Sequence, residues 1–339
     1  SNVRSAIKLF DLDPEMHTLS FLPINHVFEQ VAGIILPLAV GGTVSFAESL
    51  RKLGDNLGEV KPNFLLGVPA VFRLLAERMT KKIESQRLSR LLYAFAPTRP
   101  FVTRKVREAF GGNPVFISGG AALDPVVAER LMELGLNVYQ GYGITETSPV
   151  IAVNGASPGM TRLGTVGKPI DNVEVTIADD GELLVKGPSV TQGYWNLPEK
   201  TEEAFRGDYL TVGDMALRDE HGFIRLIDRK KNMIITGGEH VYPSEVEEVV
   251  GSNECVFDCA CIGLPDDKWG ERPLTLVVLK PDYAGKVTGD DLKNFYTGFV
   301  ENGTIPKYGV PDRVVITDQI AKTSVGKINK KEIRSQFRS

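Results

Sequence analysis

The sequence predicts an α/β protein: a mostly parallel, helix-covered sheet, then a small β unit of twisted or barrel-like form, then an α+β segment. Three observations predict it. Strand, small-residue turn and helix patterns repeat up to Pro149; the texture then becomes Gly-rich and β-propense; and a fresh pattern begins beyond the charged run Asp228-Arg229-Lys230-Lys231-Asn232. The expected divisions are 1–155 (α/β), 156–229 (β-rich) and 230–339 (α+β), with the last boundary in an exposed, linker-like charged segment.

Taken in order, Ser1 to Phe10 reads as the end of a helix already under way. With neither a signal peptide nor an initiator methionine, residue 1 reads as a cut within a larger fold. Leu19 to Pro23 reads as a strand end, Val27 to Pro37 as a helix and Gly42 to Phe46 as a strand. The run Val31 to Phe46 is the most apolar in the chain, but Gly33, Pro37, Gly41 and Gly42 interrupt it. It is too short to span a bilayer and predicts a buried helix leading into a strand. Asn63 to Val68 then Pro69 to Met79, and Pro114 to Ile117 then Asp124 to Leu134, repeat the strand–turn–helix unit, with Pro69 where a helix can begin. Strands are expected at Gly164 to Ile170, Val173 to Ile177, Glu182 to Lys186, Leu210 to Val212 and Phe223 to Ile227. Beyond the junction, Ser244 is expected to cap a helix Glu245 to Val250. Strands at Cys259 to Gly263 and Leu274 to Leu279 follow, then a helix near Asp290 to Val300.

At 339 residues and a formal charge of −4 the chain has room for several cores and no general attraction for nucleic acid or anionic lipid. Its basic clusters are short, so phosphate binding must come from a local site. Cys255, Cys259 and Cys261, odd in number and without paired histidines, read as buried thiols of a reducing compartment rather than a metal site. In an open parallel sheet, ligands bind beyond the carboxyl ends of the strands. Three turns fall there: the one with His26, Ser118-Gly119-Gly120-Ala121-Ala122, and Tyr139 to Pro149. In the last, Gly141 and Gly143 open the main chain to a ligand, Tyr142 offers an aromatic face, Thr145 a hydroxyl and Glu146 a cation-binding carboxylate. Alone, the stretch is equally a plain turn between strand and helix, since the third glycine of a dinucleotide fingerprint is missing.

Later segments break the tie. Leu210 to Asp214, Asp228-Arg229, Thr236 to Glu247 (TGGEHVYPSEVE) and Lys322 to Ile328 (KTSVGKI) follow in order. With these spacings the chain resembles the adenylate-forming acyl-CoA synthetase superfamily from Leu19 onward. The resemblance implies ATP-dependent activation of a carboxylic acid to an acyl-adenylate and transfer to coenzyme A, releasing pyrophosphate and AMP, with Mg2+ as cofactor. It implies a mobile C-terminal domain turning about Lys231. Asp214 and Arg229 would hold the ribose, as against a solvated turn aspartate. Tyr142 would stack on adenine, as against core packing, with Gly119, Gly120, Ala121 and Ala122 along its other side. Thr145 would bond the α-phosphate, Glu146 would bind magnesium, and His26 would lie beside the acyl carboxylate, as against capping a helix or packing in a core. Lys327 would bond the carboxylate and α-phosphate, as against an ordinary surface lysine, and Gly237-Gly238 would face the pantetheine.

Two departures qualify this. The family's Ser/Thr/Gly-rich phosphate loop should precede residue 1 and is absent from the sequence, so the chain looks like the C-terminal part of such an enzyme, in need of that loop for turnover. Ala321 stands where the family usually has proline. Leu22 to Glu29 with Gly187 to Trp195 resembles medium- and long-chain fatty-acid ligases most, aromatic-acid ligases sharing most of it. The expected partners are thus a carboxylic acid, by preference a fatty acid, ATP and coenzyme A, with no nucleic acid and no transmembrane segment, in a cytoplasmic or peripherally membrane-associated protein. A non-catalytic module for AMP, acyl-AMP or coenzyme A is the alternative, and a luciferase-like oxygenase a third reading.

Overall fold

The computed structural model describes residues 1–322 and 328–337. The described chain divides into two compact units, Ser1–Val212 with Leu217–Leu226, and Gly213–Ala216 with the described residues of Ile227–Ser339.

The first unit opens with α1 (Asn2–Phe10) and builds a seven-stranded sheet in the order β2-β1-β3-β4-β5-β6-β7. Its strands are β1 (His17–Ser20), β2 (Thr43–Phe46), β3 (Phe64–Gly67), β4 (Val115–Ser118), β5 (Asn137–Gly143), β6 (Val150–Val153) and β7 (Lys168–Pro169). Those from β2 through β5 pair in parallel, whereas β6 and β7 are antiparallel. Registers Leu65↔Phe116↔Val138 and Leu66↔Ile117↔Tyr139 sort alternate side chains to opposite faces. The first row joins Leu19, Phe72 and Leu131 in one core, and the second joins Leu36 and Phe28 in another. Both faces are therefore covered, as a parallel sheet requires.

The connections are α2 (Leu36–Val40), α3 (Leu53–Val60), α4 (Pro69–Ser85), α5 (Arg87–Ala94), α6 (Arg99–Glu108) and α7 (Pro125–Glu133). Asp124 caps α7 by accepting from Val126 N at 2.9 Å. The expected helix Val27 to Pro37 is present and runs on to Val40, but its middle, Glu29–Ile35, is π-helical before it continues as α2. Glu29 explains the widened turn: its carboxyl group is buried against Ser20 Oγ, and a Cβ at Gly33 would lie 2.7 Å from it. Nor is this segment wholly buried, since Ile35 and Leu38 are 51% and 63% exposed. Helices α5 and α6 occupy a region where no element was expected.

Past β7 come β8 (Glu174–Ile177), β9 (Glu182–Lys186), α8 (Pro198–Glu203), β10 (Phe205–Arg206), β11 (Tyr209–Arg218) and β12 (Ile224–Arg229). They form a five-stranded sheet ordered β10-β11-β9-β8, with β12 beside β11.

The second unit contains β13 (Ile234–Thr236), β14 (Glu239–Val241), α9 (Pro243–Gly251), β15 (Val256–Asp266), β16 (Gly270–Leu279), α10 (Gly289–Glu301), β17 (Arg313–Ile316) and α11 (Lys330–Gln336). Its sheet runs β14-β13-β16-β15, with β17 parallel to β16. Val246, Val250, Leu292 and Tyr296 pack on it, and Tyr296 donates to Val246 O at 3.0 Å. Ser244 does not cap α9. Pro243 at the first turn sets the start two residues earlier, and Ser244 Oγ donates back to Ile227 O.

Candidate functional site

In the first unit the predicted turns with His26 and with Gly119 follow the carboxyl ends of β1 and β4; of the third, Tyr139 to Gly143 lie within β5 itself, paired from Gly141 to β6, and only Ile144 to Pro149 turn beyond its end. His26 is exposed, and its Nδ1 accepts from Phe28 N at 3.2 Å, which shapes the turn. Phe28 reaches the second turn: a Cβ at Gly119 would stand 2.9 Å from its ring, so only glycine allows this approach. Gly120 turns with φ +79°, and Ala121 and Ala122 are exposed beyond it. Gln140 of β5 ties this turn down by accepting from Leu123 N at 3.3 Å. Beneath it Ser118 Oγ is buried without a partner in the structure.

The third turn is held from both sides. Thr147, fully buried, donates to Pro149 O at 2.7 Å and accepts from Ile144 N at 3.2 Å. Asn2 Nδ2 donates to Thr147 O at 2.9 Å. Gly143 cannot carry a side chain there, for a Cβ would fall 1.7 Å from Pro149 O. Gly141 is less constrained, its Cβ meeting ordinary contacts at 3.5 Å and beyond. This bracing leaves Tyr142 and Glu146 half-buried and Thr145 exposed. Two residues beyond the turn orient Glu146: Thr191 N donates to its carbonyl at 2.7 Å, and Tyr194 Oη donates to its Oε1 at 2.9 Å. Burial, then the neighbouring carboxylate, pushes the Tyr194 phenol upward, so it serves as a donor. A carboxylate oriented by a phenol at a half-exposed edge suits a hard divalent cation.

In the second unit, Asp214 is 5% exposed and pairs through Oδ1 with Arg229 Nε at 2.7 Å. Arg229 is half-exposed, so a buried acceptor is held beside an accessible guanidinium. Asp228 accepts from Arg229 N at 2.6 Å, Asn232 Nδ2 at 3.0 Å and Ser244 N at 2.9 Å. It thereby ties the short turn Lys230–Asn232, where Lys231 is exposed, to the start of α9. Gly237 and Gly238 join β13 to β14 with φ of +61° and +87°, a two-residue hairpin turn that favours glycine. Gly237 N donates to Trp269 O at 2.7 Å, and the Trp269 ring leaves no room for a Cβ on Gly237. Lys322 and Ile328 pair as an antiparallel bridge, and Lys322 meets Asp258 at 2.8 Å. Lys327 itself lies outside the described residues.

Sequence reasoning missed Tyr194, Thr147, Asp228 and Ser244 as supports. For Asp228 a signal existed: an acidic residue four positions before Asn232 in a charged junction, the pattern of a side chain bonding its own turn. For Tyr194 none did, since its partner lies 48 residues away.

The model of the AMP-binding enzyme family matches residues 1–195, and that of the AMP-binding enzyme C-terminal domain matches 245–327. A 2-succinylbenzoate–CoA ligase from Bacillus cereus is 35% identical over 229 residues, 65% of this chain and 46% of that protein. A 2-succinylbenzoate–CoA ligase from Listeria monocytogenes is 30% identical over 265 residues, 77% of this chain and 54% of that protein. Among solved structures, ATP-bound MatB from Rhodopseudomonas palustris superposes with a TM-score of 0.80 at 25% identity, covering 100% of this chain and 63% of that one. The o-succinylbenzoate CoA synthetase of Bacillus subtilis, in complex with its acyl-adenylate, shares the fold, with a TM-score of 0.79 at 24% identity over 100% of this chain and 64% of that one. The chain spans about half the length of the curated relatives it matches. Those relatives are not named for fatty acids, so the preference drawn from Leu22 to Glu29 finds no support in them. No described helix is long and apolar enough to cross a membrane.

Proposed function

We propose, from the premise that this chain belongs to the AMP-binding enzyme family, that it works in an acid–CoA ligase. Such an enzyme activates a carboxylic acid with ATP to an acyl-adenylate, releases pyrophosphate, and passes the acyl group to coenzyme A with release of AMP. The observation that carries the reading is the braced Thr145–Glu146 turn, which offers a hydroxyl and an oriented carboxylate at the end of a parallel strand. As the acid's carboxylate attacks the α-phosphorus, the Thr145 hydroxyl donates to an α-phosphate oxygen where charge develops. Glu146 would hold magnesium, whose bound charge neutralises phosphate oxygens. Tyr142 supplies a face for adenine, and Gly119 to Ala122 supply a wall without bulky side chains. His26 would border the acyl carboxylate.

The Asp214–Arg229 pair has the chemistry of a vicinal-diol site, a buried carboxylate acceptor with a neighbouring donor. The Gly237–Gly238 turn offers a side-chain-free edge for pantetheine, and Lys231, on the turn tied by Asp228, is the pivot. By the resemblance, Lys327 would bond the acid's carboxylate and an α-phosphate oxygen. The acid is inferred to be an aromatic one of the succinylbenzoate kind, which the curated relatives support. A cytoplasmic setting is supported by three free thiols, of which burial pushes Cys259 and Cys261 up to about 12.

The test is calorimetry with two non-hydrolysable acyl-adenylate analogues, one carrying 2-succinylbenzoate and one a long-chain fatty acid, followed by pyrophosphate release with each acid. Tighter binding of the aromatic analogue supports the assignment, and preference for the aliphatic one overturns the acid. Binding of neither analogue, nor of AMP, would overturn the ligase reading itself.

A further inference from the structure

Between Arg78 and Arg107 the sequence holds nine Lys and Arg residues against one acid, Glu84, in a chain of net charge −4. Short clusters in the sequence thus become one basic surface in the fold, spread over the end of α4, all of α5 and most of α6. Helix α5 turns Leu92 and Tyr93 toward Ile83, Val102 and Leu134. Its other apolar residues face solvent. Leu88 and Leu91, three positions apart and so on one side of the helix, are 70% and 58% exposed, and Phe95 and Phe101 are 62% and 57% exposed. Arg87, Arg90, Arg99, Arg104 and Lys105 are exposed around them. Arg99 and Arg130 each lie over the Tyr93 ring, at 5.2 and 5.6 Å. A cleft of about 500 Å³ lined by Arg90, Tyr93 and Arg130 opens alongside.

Four large exposed apolar side chains do not suit a merely solvated charged surface, and a ring of cations does not suit a core-facing helix. Together they match the boundary of an anionic bilayer, apolar toward the acyl chains and cationic toward the phosphates. Guanidinium groups, planar and able to meet phosphate with two bonds, predominate among the cations. We propose that the α5–α6 hairpin is a docking surface for an anionic lipid membrane, with Leu88, Leu91, Phe95 and Phe101 entering the headgroup layer and the surrounding arginines meeting lipid phosphates.

The experiment is co-sedimentation of the 339-residue chain with vesicles of phosphatidylcholine alone, or of equal parts phosphatidylcholine and phosphatidylglycerol, at low and high salt. The chain should pellet with the anionic vesicles, not the neutral ones, and salt should release it. Arg87→Glu with Arg90→Glu should weaken partition roughly thirtyfold or more, and Leu88→Ser with Leu91→Ser about tenfold or more. Lys280→Glu with Lys286→Glu, in the second unit, should change it less than about twofold. Arg87 and Arg90 are exposed, so the first double variant keeps the fold, which an unchanged melting curve verifies. Equal binding to neutral vesicles, or indifference to both hairpin variants, would overturn the proposal. So would a concentration-dependent dimer, abolished by the Leu88/Leu91 variant, without vesicle binding, since the face would then belong to a second copy of the chain.

Discussion

Gly143→Ala is the sharpest perturbation of the turn that carries Thr145 and Glu146. A Cβ at this position would stand 1.7 Å from Pro149 O, 2.7 Å from Pro149 C and 3.0 Å from Ile151 N, all main-chain atoms. A side chain could rotate away, but a backbone cannot, so β5 and the segment leading into β6 must separate. Overpacking typically costs about 1–3 kcal/mol, and a clash with main chain belongs at the upper end. For a unit of this size, ~3 kcal/mol lowers the melting temperature by roughly 6–12 °C. Gly141→Ala is the internal control. Its Cβ would meet Val153 and Ile117 side chains at 3.5 and 3.7 Å, and its φ is not left-handed, so the melt should move by less than about 2 °C. Differential scanning calorimetry of both variants checks this, with AMP titration as the second readout. Equal melting of Gly143→Ala and wild type, or a larger loss in Gly141→Ala, would mean that the Pro149 main chain does not exclude a side chain at position 143.

Tyr194→Phe removes one hydrogen bond to Glu146 Oε1 and almost no volume; magnesium-dependent AMP binding should weaken about two- to tenfold in calorimetry, with the melting temperature nearly unchanged. Burial raises the Glu29 carboxyl pKa, Ser20 opposing it, so the folded state favours the proton. That contribution is fully present below the unfolded value near 4.5 and fades as pH rises through the raised folded value. Glu29→Gln should therefore gain stability relative to wild type between pH 5 and pH 8, read from melting temperatures across that range. The Cys259 and Cys261 thiols, pushed up to about 12, and buried Cys255 should resist a disulfide reagent at about pH 8 until denaturant is added, counted by absorbance.

Strands β1 to β4 of the first sheet were legible because their signals are local, whereas β5 was read as part of a turn and β6 was not expected. Strand-length apolar runs end in small residues, and Pro69 and Asp124 mark helix starts. The π-helical turn at Glu29 was not, because it depends on a carboxyl group burying itself against Ser20 and on Gly33 making room, neither visible in periodicity. Helices α5 and α6 escaped because their apolar positions, Leu88, Leu91, Phe95 and Phe101, face outward and were never paired with a core. Ser244 was read as a cap from residue type alone, but Pro243 set the helix start and freed its hydroxyl for Ile227 O. The candidate ligands at Gly119, Gly143 and Glu146 were visible by kind and order. What fixes them, Phe28 against Gly119 and Tyr194 against Glu146, comes from residues brought together only by folding. The identity of the acid was the least legible, because an acyl pocket is the sum of side chains from several loops.

The proposed function has this chain bind the adenylate of an activated acid. Calorimetric titration of the 339-residue chain with AMP, in wild type and Asp214→Asn, tests it most directly. One saturable AMP site is expected in the wild type, weakened at least roughly tenfold when the carboxylate of Asp214 becomes an amide. No AMP binding, or equal affinity in the two proteins, would contradict it.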